Sequence, residues 1–165
     1  MIEERVMVYF ATQRRLPEHI LFYRDGVSES QFGMVKDREL PLIKQGCNRA
    51  GPTCGAGANW CPRITLLVVG KRHHARFYPQ SPTPARTAGA NLYSGLVVDS
   101  DVTSPWKADF YLQSHDSFLG TARTAHYIVI ENESGYAMNE IQELVSTLSH
   151  PFSCQRTSKD AEYLY

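Results

Sequence analysis

Apolar residues recur along this chain with two different periods. Ile2, Val6, Tyr9 and Phe10 fall at helical spacing, which predicts an amphipathic helix over residues 3–13, ended by Leu16-Pro17. The run His19–Tyr23 is short, apolar and rich in strand formers. With Arg24-Asp25-Gly26 behind it, it predicts a buried strand closing on a tight turn. Ser28 with Gln31 three positions on has the spacing of a capping box. Phe32, Val35, Ile43 and Cys47 continue as a helical stripe that Pro41 should kink or divide. Residues 50–62 and 79–91 are rich in Gly, Ala, Pro, Ser and Thr and read as loops. Between them Arg63–Gly70 is a second buried strand that runs directly into KRHHARF. Leu96–Asp99, Phe110–Gln113 and Ala125–Ile130 read as three further strands. Asn139 opens a last helix with Ile141, Leu144, Val145 and Leu148 on one face, closed by Pro151. The order of elements predicts an α/β fold with a mixed sheet covered by helices, with no internal repeat and no linker dividing it into two domains.

At 165 residues the chain has the size of one domain, and 42% hydrophobic with 21% charged residues is ordinary for a globular fold. No apolar run approaches a membrane span, and two acids precede any apolar stretch at the N-terminus, which argues against a secretory leader. Four cysteines do not make a disulfide framework in a chain that can build a core, so a reducing, cytoplasmic setting is expected. Cys47, Cys54 and Cys61 are evenly spaced but lack the close pairing and the fourth ligand of a zinc site.

The formal net charge of zero conceals an uneven distribution. Between Glu39 and Asp99 there is no acid, against seven bases: Lys44, Arg49, Arg63, Lys71, Arg72, Arg76 and Arg86. A basic middle in a neutral chain fits either a local anion partner or a solvated cationic face. Three short motifs carry candidate chemistry. Asp25, where a strand meets a turn, is placed to be a metal ligand, a general base or simply a turn residue. Lys71–Phe77 (KRHHARF) supplies three fixed cations and two imidazoles. Adjacent histidines on extended chain face opposite ways, so successive phosphates suit this segment better than a shared metal. Ser114–Arg123 (SHDSFLGTAR) adds further donors for phosphate and ribose oxygens, but no Ser/His nucleophile with a third group to orient it. Val97–Thr103 (VVDSDVT) resembles the nucleophile motif of haloacid-dehalogenase-type phosphatases, with Asp99 as nucleophile and Asp101 as acid/base. That reaction also needs a lysine and downstream acids, for which only Lys107, Lys159, Asp109 and Asp116 are at hand.

Six segments taken in order are similar to the PIWI signature of eukaryotic Argonaute proteins: FYRDGVSESQF, ELPLIKQGC, PRITLLVVGKRHHARFYP, GLVVDSDVTSP, ADFYLQSHDSFLGTAR and HYIVIENE. The resemblance covers the chain to about residue 154 and leaves residues 155–165 as a divergent tail. It implies a partial PIWI domain of RNase H-like fold, a central mixed sheet flanked by helices with carboxylates at strand ends. By this resemblance Asp25 matches one member of an Asp-Glu-Asp-His tetrad that binds two divalent ions, Mg²⁺ or Mn²⁺. Lys71, Arg72, His74, His115 and Arg123 match positions lining a guide-strand groove. The implied partners are a small guide RNA, a target RNA and tryptophan-rich silencing effectors, with no membrane, and the implied setting is the cytoplasm with the nucleus as a second compartment.

The departures from the signature shape the expectation further. The first Asp and the Glu of the tetrad belong upstream of Met1, and its His belongs to a Tyr-Tyr-x-His stretch that Cys154–Tyr165 does not resemble. His126 and His150 do not replace it by position. Ser104 stands where the family has His, and Thr124 where it has Pro. The sequence therefore predicts a guide-RNA-binding chain in RNA silencing that holds no metal stably and does not cut RNA alone. RNA-guided cleavage is the alternative when the missing groups are supplied.

Overall fold

Each predicted stripe becomes an element in the computed structural model, which describes residues 1–57, 60–78, 92, 94–115 and 121–149. The chain runs through α1 (Ile2–Gln13), β1 (His19–Asp25), a 3-10 turn (Glu29–Gln31), α2 (Phe32–Met34) and a π-helical turn (Val35–Glu39). It continues through α3 (Leu40–Thr53), β2 (Arg63–Gly70), β3 (Val97–Val98), β4 (Asp109–Leu112), β5 (Ala125–Asn132) and α4 (Met138–Ser149). The strands form one mixed sheet in the order β1-β2-β5-β4-β3, with helices around it. By contact density the chain divides into two units, Met1–Leu67 with Ile130–Gly135, and Val68–Val129 with the part of Tyr136–Arg156 that is described. The divisions fall inside β2 and β5, not in a linker.

In the first unit, α1 ends as its pattern requires. Arg14 takes up a left-handed conformation (φ 58°) and its N–H donates to Phe10 O at 2.9 Å. Ser28 opens the next helical stretch, and its N–H donates to the side-chain oxygen of Gln31 at 3.1 Å. The predicted effect of Pro41 is visible as a π-helical turn over Val35–Glu39, after which α3 begins with the proline in its first turn, where its missing N–H costs least. α3 runs to Thr53, beyond the loop expected from residue 50. Ala50 and Gly51 are buried, and a Cβ at Gly51 would lie 3.1 Å from Trp60 Cβ, so packing holds the last turn despite Pro52. Two apolar clusters result: Val35, Leu40, Ile43, Ile64 and Leu66 in one, Val6, Ile20, Cys47 and Ala50 in the other. Ile2 packs against both, and α3 approaches it at Gly46, where a Cβ would meet Ile2 Cβ at 3.1 Å.

In the second unit β4 pairs antiparallel with both β3 and β5. Phe110 lies opposite Tyr127 and stacks on it at 5.2 Å, while Tyr111 lies opposite His126 on the other face. β3 is only two residues long against the four predicted, and β4 begins at Asp109, one residue early. α4 starts at Met138, one residue before the predicted Asn139. The Ala137 N–H there donates to the Glu140 carboxylate at 2.7 Å, which gives this helix its N-terminal cap. The predicted loop over 79–91, its Arg86, Asp116, the stop at Pro151 and the divergent tail lie outside the described residues. Among the described residues no helix is long and apolar enough to cross a membrane.

Candidate nucleic-acid interface

The six residues singled out from sequence fall in both units. Asp25 is the last residue of β1, exposed, and its Oδ1 accepts the Gly26 N–H at 2.7 Å; Gly26 turns the chain at φ 75°. Its neighbour Arg24 serves the fold. Arg24 Nε and Nη2 donate to the two carboxylate oxygens of Glu39 at 2.8 and 3.2 Å, and this bond raises the guanidinium pKa above its ordinary value. Among the described residues no group of three or more His, Cys, Asp or Glu side chains is placed to hold a metal. One exposed carboxylate with an oxygen engaged by the following amide does not fit a pair of divalent ions, which need several fixed oxygens, so no chemical step is assigned to a metal here.

Lys71, Arg72, His74, His115 and Arg123 belong to the second unit, and all five are exposed. Lys71, Arg72 and His74 leave the carboxyl end of β2, His115 follows the carboxyl end of β4, and Arg123 precedes the start of β5. The antiparallel register sets Leu112 against Ala125, so the chain leaving β4 and the chain entering β5 share one end of the sheet. The segment after β2 is tied to that end directly. His73, between Arg72 and His74, turns inward, and its Nε2 donates to the backbone carbonyl of Thr124 at 2.7 Å. The two residues next to this bond, Arg72 and Arg123, therefore flank one junction. The inward His73 and outward His74 are the opposite faces expected of adjacent residues on extended chain.

Below this junction lies an aromatic layer that the sequence did not reveal. Tyr111 is stacked on His126 at 4.2 Å, and the edges of His73 and Phe77 meet Tyr111 at 5.1 and 5.3 Å. His126 Nε2 donates to Asp109 Oδ2 at 2.6 Å, and Asp109 Oδ1 accepts the Ser104 N–H at 3.0 Å, so a buried carboxylate has both oxygens satisfied. Burial, and then the Asp109 charge, push the Tyr111 phenol pKa up. The one signal for this layer was parity: Asp109 and Tyr111 lie two apart in β4, and a polar residue at a buried strand position needs a partner. Three buried polar atoms at the same strand ends have no hydrogen-bond partner among the described residues: His73 Nδ1, Gln113 Oε1 and Thr124 Oγ1. The Thr124 hydroxyl is extra chemistry at a position where a proline would carry none.

Not every cation of the acid-free middle is available to a ligand. Lys44 is bonded to Glu133, Arg63 Nη2 lies 2.9 Å from His19 Nε2, and Arg76 Nη1 donates to the carbonyls of His73 and Ala75 at 2.9 and 2.6 Å. The phosphatase motif is also committed to structure. Asp99 Oδ2 accepts from Gln142 at 2.9 Å, Asp101 occupies a left-handed turn (φ 62°), and Asp109 is sealed behind His126. Nothing in this arrangement favours attack of Asp99 on a phosphate ester.

With this geometry in place, comparison with known proteins gives a consistent result. The Piwi domain family profile matches residues 1–158. Argonaute 9 of Arabidopsis thaliana is 39% identical over 150 residues, covering 91% of this chain and 15% of that protein. Among solved structures, the C-terminal lobe of a budding yeast Argonaute superposes with a TM-score of 0.79 at 30% identity, covering 86% of this chain and 30% of that one. Kluyveromyces polysporus Argonaute with a guide RNA gives 0.78 at 30% identity, covering 87% of this chain and 17% of that one. The chain thus spans about 15% of the length of the curated relatives it matches.

Proposed function

Because the chain belongs to the Piwi domain family, with the RNase H-like fold of its Argonaute neighbours, we propose that it binds the sugar-phosphate backbone of a small guide RNA as part of an RNA-silencing protein. The observation that carries this reading is the junction at the shared strand end, where His73 and Thr124 are bonded and Arg72 and Arg123 stand on either side. Lys71, Arg72, His74 and Arg123 would hold successive phosphates, with the His115 imidazole as a further donor. Kluyveromyces polysporus Argonaute was solved with a guide RNA, and 87% of this chain shares the fold of the matching part of that protein. Contacts of this type read charge and spacing and not base identity, so binding should be largely independent of sequence and should weaken with salt. A target RNA and effector proteins are further partners on this reading, and the cytoplasm is the compartment it fits.

Titration of fluorescent, 5′-phosphorylated short RNA against the full chain tests the reading. Arg72→Ala combined with Arg123→Ala should weaken binding by at least about tenfold and lower the slope of log affinity against log salt by about 1.4, two single-strand phosphate contacts. Unchanged affinity in the double variant would remove the assignment of these residues.

A further inference from the structure

We propose that His73 is a positioning residue for RNA binding, a latch that fixes the distance between the cations leaving β2 and the cation entering β5. It rests on the guide-backbone reading above and adds to it a residue that touches no phosphate.

His73 is held in three ways. Its Nε2 donates to Thr124 O at 2.7 Å, its ring edge meets Tyr111 at 5.1 Å, and its own carbonyl accepts from Arg76 Nη1 at 2.9 Å. Because a carbonyl only accepts, the bond to Thr124 places the proton on Nε2 and leaves Nδ1 with a lone pair. β2 and β5 are neighbours in the sheet, and beyond the last residue of β2 the bond of His73 ties the outgoing segment to the residue that precedes β5. Gln113 Oε1 and Thr124 Oγ1 are buried at the same strand ends without hydrogen-bond partners among the described residues. The alternation along Arg72, His73 and His74 converts that inward anchor into outward geometry, since fixing the middle side chain fixes the direction of both neighbours. Cations already spaced for a backbone lose less freedom on binding than cations on two independent loops.

The test compares His73→Leu, which keeps bulk and loses the donor, with His73→Gln, which returns an amide donor near the Nε2 position. Two readouts are taken on the full chain: the salt slope of binding to 5′-phosphorylated RNA, and amide hydrogen exchange of residues 71–77 and 121–124. The latch predicts about tenfold weaker binding for His73→Leu, a slope shallower by about 0.7 to 1.4, and faster exchange in both segments. His73→Gln should recover most of each. Weaker binding with an unchanged slope, or no recovery in His73→Gln, overturns the positioning role. If the wild-type chain binds no RNA, the guide reading falls and the RNA-positioning role with it, and exchange that still follows His73 then marks only a structural tie between the two segments. If RNA binds and neither slope nor exchange responds, the latch falls and the guide reading stands.

Discussion

A side chain that binds a ligand's charge is exposed, while several cations of this chain are engaged by its own carboxylates and carbonyls. Arg24 is spent on Glu39 and Arg76 on two backbone carbonyls, whereas Arg72, His74 and Arg123 stand exposed on the strand-end segments. The contrast predicts separable phenotypes. Arg24→Ala should lower stability by about 0.5–1 kcal/mol, the range of a partly exposed ion pair, and leave the salt slope of RNA binding alone. Arg72→Ala should leave the thermal midpoint alone and remove about 0.7 from the slope. The cysteines divide in the same way. Burial, with a smaller contribution from Cys61, pushes the Cys47 thiol from its ordinary 9.0 up to about 12, while Cys61 is exposed. Since the folded pKa is raised, the neutral buried thiol contributes stability that is complete below pH 9.0 and declines between 9.0 and about 12. Iodoacetamide labelling under native conditions should modify Cys61 and spare Cys47 until the chain unfolds. Equal labelling rates would contradict the packing described for α3.

At the scale of elements, the sequence was most legible where one residue class dominates a run. Six consecutive buried positions in β2 and the stripe Ile141, Val145 in α4 follow directly from composition and period. What escaped was set by contacts between distant residues. The extension of α3 through Pro52 depends on Trp60 packing over Gly51, and the shortness of β3 depends on where β4 offers it partners. Gly51→Ala should therefore destabilise the chain by about 1 kcal/mol, although alanine is the better helix former, because its methyl must displace Trp60 or the Gly57 carbonyl. The strand ends also bear on acid stability. Lys36 pairs with Glu131 at 2.9 Å, and that bond first, with the charge of Lys36 behind it, holds the Glu131 carboxyl below its ordinary 4.5. A depressed folded pKa contributes stability present above 4.5 and lost as pH falls below it, so Lys36→Met should flatten the acid limb of a pH–stability profile measured by urea unfolding.

For the whole molecule, the family was legible because six ordered segments carry it, and the fold followed from the family. The phosphate-binding candidates were legible as residue types at strand ends. Their mutual placement was not, because it depends on the bond from His73 to Thr124, 51 positions apart in sequence. On the proposed reading the chain alone binds RNA without cutting it, and Asp25, an exposed carboxylate with one oxygen engaged by the Gly26 amide, takes no part in holding the guide. Incubation of the chain alone with guide, target and Mg²⁺ should give no cleavage products above background, and Asp25→Ala should bind guide as the unmodified chain does. The central claim, that the strand-end cations of the second unit form one backbone-binding surface, is tested most directly by amide chemical-shift mapping of the full chain during titration with short 5′-phosphorylated RNA. The account predicts that the largest shifts gather at residues 71–74, at 115 and at 121–124. Shifts confined to one of these three segments, or centred on α1 and α3 instead, would contradict it.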